Sequence, residues 1–168
     1  MATASVTTQP RVVVLGSARE ERYAYKDDEA IVPGDLIRIT TVGTVKLAKI
    51  NSASAGAVHG MALETGASGS TDPLPVLLFG DDTVLAIQCI DTVAPEDLTK
   101  SIAYTLEKGT GVWGITSTTT NGVATVVDYA ATAQPWSVPY GGFDQTASTN
   151  NKDVLVRFKQ AILDGNQA

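Results

Sequence analysis

Along most of the chain, apolar side chains either run together briefly or alternate with polar ones, and glycine, proline or small polar residues interrupt each run. That pattern has the period of strands rather than of helices. "RVVVL" (Arg11 to Leu15), β-branched and ended by Gly16, reads as a first strand. From Ile31 the alternation is sustained: Leu36, Ile37 and Ile39 precede a Val42-Gly43 turn, and Val45, Leu47 and Ala48 follow it, with Ile50 beyond. Ala57, His59 and Met61 then alternate with Val58, Gly60 and Ala62, a small-residue stretch suited to close backbone approach. "DPLPVLLFG" and "TVLAIQCI" flank Gly80-Asp81-Asp82 as a hairpin-like pair. "GVWGIT" and "GVATVVDYA" frame the polar tip "STTTNG", and Val154, Val156 and Phe158 alternate in the closing "DVLVRFKQAIL".

Two stretches are ambiguous. "SAREERYAYKDDEA" packs eight charges into fourteen residues; Ser17 with Glu20 fits a helix capping box, and a solvated connection fits equally well. In "APEDLTKSIAYTLEKG", Leu98, Ile102 and Leu106 have helical spacing, whereas Ile102, Tyr104 and Leu106 alternate as in a strand. An internal echo favours the strand. "GDLIRITTVGTVKLAKINSASAGAVHGMAL" and "KSIAYTLEKGTGVWGITSTTTNGVATVVDYA" both run strand, Gly-Thr turn, strand, polar tip, then a Gly/Ala/Val strand. The fold class that follows is mainly β, with two halves packed into a single small β-barrel or sandwich.

The ends of this pattern differ from its middle. Met1 to Pro10 are chiefly Thr, Ala and Ser with almost no charge, the composition of an arm that is ordered by a partner. The chain therefore divides into residues 1–15, a flexible N-terminal arm with the first strand, and residues 16–168, a single β-rich domain. Between Ala131 and Lys152 lies a long Pro-, Gly-, Ser- and Thr-rich loop near the C-terminus that carries Trp136, Tyr140 and Phe143. Long aromatic-bearing loops are uncommon in compact domains and usually have a task.

Composition narrows the function. At 168 residues the chain has the size of one domain, able to bury roughly 70% of its unfolded surface. A formal charge of -6 without a basic cluster makes nucleic acid an unsuitable partner. The start lacks a basic and then apolar leader, and nowhere do enough apolar residues run together to cross a membrane, so neither export nor membrane insertion is expected. The lone Cys89, in an alternating apolar run, reads as a small core residue.

Candidate chemistry is sparse. A single histidine, His59, excludes His-pair zinc sites and lies in an apolar stretch. "LLFGDDTVLAI" resembles the apolar-Gly-Asp-Asp-apolar hairpin of viral RNA polymerases, but so short and acidic a chain gives Asp81 and Asp82 the reading of a solvated turn. Asp27, Asp28 and Glu29 lack the alternate spacing and central glycine of a calcium loop, and "VVVLGSARE" has one glycine where a phosphate loop needs several. Trp113 reads as core; Trp136, between Pro135 and Ser137, is the better contact residue. No enzyme, cofactor or metal site is expected.

The segments "IVPGDLIRI", "TVKLAKI" and "AVHGMALE", with the second round "LTKSIAYTLEKGTGVWGIT" and "GVATVVDYA", resemble the capsid decoration, or cement, proteins of tailed bacteriophages with a β-tulip-like core. The resemblance covers about Ile31 to Ala130 and rests on turns and strands rather than on chemical residues. It implies a non-enzymatic virion protein, made in the host bacterial cytoplasm, that sits on the outer capsid surface as a homotrimer and ties major capsid protein subunits together. It also implies contact through the N-terminal segment, which makes Thr7, Thr8, Pro10, Arg11 and Val13 candidate contacts, with Trp136, Tyr140 and Phe143 added from the loop. The alternative class is a soluble carbohydrate- or ligand-binding β-domain with Trp113, Trp136, Tyr140 and Phe143 as an aromatic platform.

Overall fold

A computed structural model describes residues 9–23, 25–26, 29–40, 43–48, 50–51, 54–55, 58–88, 90, 103–108, 112–116, 118–119, 122–129 and 153–159. These form strands and no helix: β1 (Arg11–Val14), β2 (Arg19–Tyr23), β3 (Tyr25–Lys26), β4 (Leu36–Ile39), β5 (Thr44–Leu47), β6 (Ile50–Asn51), β7 (Ser54–Ala55) and β8 (Gly60–Ala62). They continue with β9 (Leu74–Leu78), β10 (Val84–Gln88), β11 (Ala103–Tyr104), β12 (Leu106–Lys108), β13 (Trp113–Ile115), β14 (Ala124–Tyr129) and β15 (Asp153–Phe158). Among the described residues no helix is long and apolar enough to cross a membrane.

Two open sheets carry the domain, one ordered β1-β10-β15-β14-β11 and the other β2-β9-β8-β4-β5-β3, with the hairpins β12-β13 and β6-β7 beside them. The expected mainly β class holds, as packed open sheets rather than a closed barrel. Among the described residues all strand pairings are antiparallel except β3 with β5.

Strand alternation divides the apolar side chains into layers. Val12, Leu85, Ile87, Val154 and Val156 from the first sheet and Leu36 and Met61 from the second share one central core with Leu106, Trp113 and Ile115. Their neighbours in sequence turn the other way. Ile37, Ala62, Val76 and Leu78 form a second cluster behind one sheet, and Val13, Val84, Ala86 and Leu155 a third behind the other. Burial of both faces explains why "VLLF" and "VLAI" read as continuous apolar runs. Phe79 and Phe158 stack with centroids 5.6 Å apart and planes at 11°, joining β9's end to β15's.

The two echoing segments have matching connectivity. In the first, β4 pairs with β5 and β8, and β8 passes on to β9; in the second, β12 pairs with β13, β11 with β14, and β14 with β15. Gly60, opposite Ile37 and Leu78, matches Ala124, opposite Tyr104 and Phe158. The strand reading of Tyr104 and Leu106 therefore stands, while Leu98 and Ile102 lie outside the described residues.

Three expectations are corrected. Arg19–Tyr23 is strand β2, paired along its length with Leu74–Leu78, so Ser17 and Glu20 form neither a capping box nor a plain solvated connection. The segments either side of Gly80-Asp81-Asp82 do not pair: β9 lies between β2 and β8, and β10 between β1 and β15, so this turn carries the chain from one sheet to the other. The stretch Leu15 to Ala18 makes the same passage between β1 and β2. Finally, an arm reaching to Pro10 is too long, because Pro10 is buried and the Gln9 side chain is fastened to the domain.

The two passages are locked together. Ser17 donates to Asp82 Oδ1 from its backbone N–H (2.7 Å) and its hydroxyl (2.6 Å), and these bonds hold the Asp82 carboxyl below its ordinary range. The buried Thr83 hydroxyl accepts from Gly80 N–H (2.9 Å) and donates to Leu15 C=O (2.9 Å). Gly16 sits at φ 54°, and a Cβ there would run into the Asp82 carboxylate.

Candidate interaction surface

The Val32-Pro33-Gly34-Asp35 turn sets the geometry of the surface. Pro33 supplies its fixed φ, Gly34 takes φ 87°, and Asp35 N–H donates to Val32 C=O (3.1 Å), the form of a type II turn. The turn aims the Asp35 carboxylate inward, where it is fully buried. There Oδ2 accepts from Val32 N–H (3.0 Å), and Oδ1 accepts from Gln9 Nε2 (3.1 Å) and from the Lys108 ammonium at 2.9 Å. The Gln9 carbonyl in turn accepts from Trp113 N–H (3.1 Å). Three separate parts of the chain, the root of the N-terminal segment, the Pro-Gly turn and the β12-β13 hairpin, thus meet on one buried charge. A Cβ on Gly34 would come within 2.7 Å of Gln9 Cβ, so only glycine lets Gln9 approach.

Beside this cluster runs an open groove of about 520 Å³. Pro10, Val12 and Leu15, from β1 and its flanks, line it together with Pro33, Met61 and Leu63 from the Pro-Gly turn and from β8 and its flank. The large hydrophobic side chains exposed among the described residues gather here: Leu15 (45%) and Leu63 (37%) line the groove, and Val32 (41%) adjoins Pro33. Such a concentration of exposed apolar side chains among the described residues marks a contact site.

The predicted contact residues fall as follows. Arg11 is half-buried in β1 and lines the groove with Pro10. Val13 is buried at 6% exposure against Val84, Ala86 and Leu155, so only its backbone could meet a partner. Thr7, Thr8, Trp136, Tyr140 and Phe143 lie outside the described residues, as do Asp27, Asp28 and Cys89. The loop bearing the aromatics is bounded by β14 and β15, whose ladder pairs Tyr129 with Val154, so it leaves and returns at one end of one strand pair.

Groups with chemical potential are used structurally. His59 Nδ1 accepts from Ile39 N–H (2.8 Å), and its pKa is lowered by burial and then by the Arg38 charge. Trp113 is 4% exposed, in the core. Among the described residues no three His, Cys, Asp or Glu side chains are grouped to hold a metal ion. Sequence reading missed Asp35 and Lys108; the one local signal was an acid placed directly between a Pro-Gly turn and an apolar strand.

Fold and surface together define a mainly β domain whose distinctive feature is an apolar groove beside an anchored N-terminal segment. Comparison with protein-family models and with curated proteins finds no match to this chain.

Proposed function

We propose that this chain is a structural virion protein that binds the outer surface of an assembled bacteriophage capsid, as a homotrimer, and bridges major capsid protein subunits. The observation that carries the reading is the gathering of Leu15, Val32 and Leu63 around a groove at the root of an uncharged N-terminal segment. Such a surface suits protein contact, and the resemblance of the strand-and-turn pattern to decoration proteins supplies the partner. Repeated sites on a shell would raise the avidity of individually weak contacts by about two to four powers of ten. In the glycan-binding reading, Trp113 is unavailable as a platform member because it is buried in the core.

The test is co-sedimentation with expanded shells of the virus that encodes the chain, comparing the full protein with one lacking residues 2–8. The cut falls before Gln9, so the Asp35 cluster is kept. Saturable binding at three-fold stoichiometry, lost on truncation with the melting temperature unchanged, is the expected result. Absence of binding to properly expanded shells would overturn the reading.

A further inference from the structure

Four successive residues, Gln9 to Val12, line the groove. Gln9 and Pro10 lead into β1, and Arg11 and Val12 are its first two residues. Side chains of a strand alternate between its faces, so a groove touching both Arg11 and Val12 lies at the edge of the strand's first half rather than on either face. Among the described residues β1 pairs only with β10, which leaves the groove on the opposite edge. An edge of this kind accepts an added strand through its main chain, with pockets for alternate side chains.

We propose that the groove receives residues 1–8 of a second copy of this chain as a strand added along β1. The segment Met1 to Thr8, "MATASVTT", has no charged side chain and no proline and includes β-branched Val6, Thr7 and Thr8. It therefore enters an apolar groove of another copy without bringing a charged side chain into it, and every one of its internal N–H groups can pair. Its position matters as much as its composition. Gln9, held by Asp35 and Trp113 N–H, fixes the start of the segment at the groove itself. Eight extended residues reach about 26–29 Å, far enough to lie along the neighbouring copy's β1. Because donor and acceptor sites adjoin on each copy, reciprocal or cyclic exchange closes without leaving an open end. Thr7 and Thr8 of this segment are also shell-contact candidates, so exchange between copies and pairing with a shell strand compete for them.

The test uses no shells, which separates it from the proposed function. Sedimentation velocity compares the full chain with the chain lacking residues 2–8 from low to high micromolar concentration, and fluorescence polarisation measures binding of a labelled residue 1–8 peptide to the truncated chain. The expected result is a concentration-dependent oligomer for the full chain, a monomer for the truncated one, and saturable peptide binding. Leu63→Glu, at an exposed rim position, should weaken peptide binding about tenfold or more; Leu15→Glu is the second rim variant should the first fail to fold. A full chain that stays monomeric, a truncated chain that still associates, or peptide binding absent or indifferent to the folded rim variant would each overturn the inference. If shells were still decorated in that case, the groove would fall to the shell protein instead.

Discussion

Replacing Lys108 by methionine keeps most of the side-chain stem and removes the charge that faces Asp35. Asp35 is fully buried and the Lys108 side chain is 26% exposed, so the pair is asymmetric: the lysine can turn toward water, the carboxylate cannot. Lys108→Met therefore strands a buried carboxylate that keeps its bonds from Val32 N–H and Gln9 Nε2 but loses its counter-charge. Removing one partner of a buried pair costs about 3–5 kcal/mol, and partial solvent access places this case near 3 kcal/mol. For a domain of this size that is a fall of about 6–12 °C in melting temperature. Urea unfolding of Lys108→Met, Asp35→Asn and the double variant measures the coupling. Once the carboxylate is neutral the lysine has no charge to balance, so the double variant should be less destabilised than the summed singles by at least about 1 kcal/mol. Additivity within about 0.5 kcal/mol, or a Lys108→Met effect below about 1 kcal/mol, would refute the idea that Asp35 is a buried charge dependent on this lysine.

Gly60→Ala should lose about 1–3 kcal/mol by urea unfolding, because the new Cβ meets the Leu77 backbone carbonyl in the adjacent strand, which cannot swing aside as a side chain could. His59 has a folded pKa below the ordinary 6.5, so its stabilisation is complete above that value and is lost as pH falls through the lowered one; His59→Gln should flatten that part of the stability-versus-pH curve. Asp82, also lowered, contributes stability above the ordinary carboxylate range that is lost on acidification, and Asp82→Ala should lower the melting temperature at neutral pH and little at strongly acid pH. Replacing residues 131–152 by a short turn should leave the melting temperature close to its original value, since Tyr129 and Val154 are paired neighbours; unfolding of the shortened chain would show that the loop is part of the core.

What was legible in the sequence was whatever depends on near neighbours. Short apolar runs and alternation located β1, β4, β5, β8, β9, β10, β14 and β15, because each packs apolar side chains on one face or, as in β9 and β10, on both. It could not locate β2: "REERY" has four exposed positions before the half-buried Tyr23, and backbone pairing to β9 holds it in the sheet. The Gly80-Asp81-Asp82 turn misled for a related reason. A turn reverses the chain equally well into a hairpin or across to another sheet, and the choice belongs to β1 and β15, distant strands that take both edges of β10. Asp35 was visible as a residue but not as a site, since its partners Gln9 and Lys108 are remote in sequence and a Pro-Gly-Asp turn is ordinarily solvated.

The likeness between the two sheets makes their differences informative. β4, β8 and β9 in one sheet and β11, β14 and β15 in the other follow in the same spatial order, so the shared part is scaffold. The sheets diverge at their outer strands. β2 ends one sheet with Arg19, Glu20, Glu21 and Arg22 exposed, and Arg19 Nε is bonded to Glu21 Oε1 at 2.8 Å; charges along an edge discourage any further strand from adding there. β1 ends the other with Arg11 followed by three valines and a groove at its side. The same fold thus carries one guarded edge and one receptive edge, and the uncharged N-terminal segment leads directly into the receptive one. A charge placed at Leu63, which follows β8 and lines the groove beside β1, makes the second edge resemble the first, which is why that substitution, rather than any change in the buried layers, separates recognition from folding.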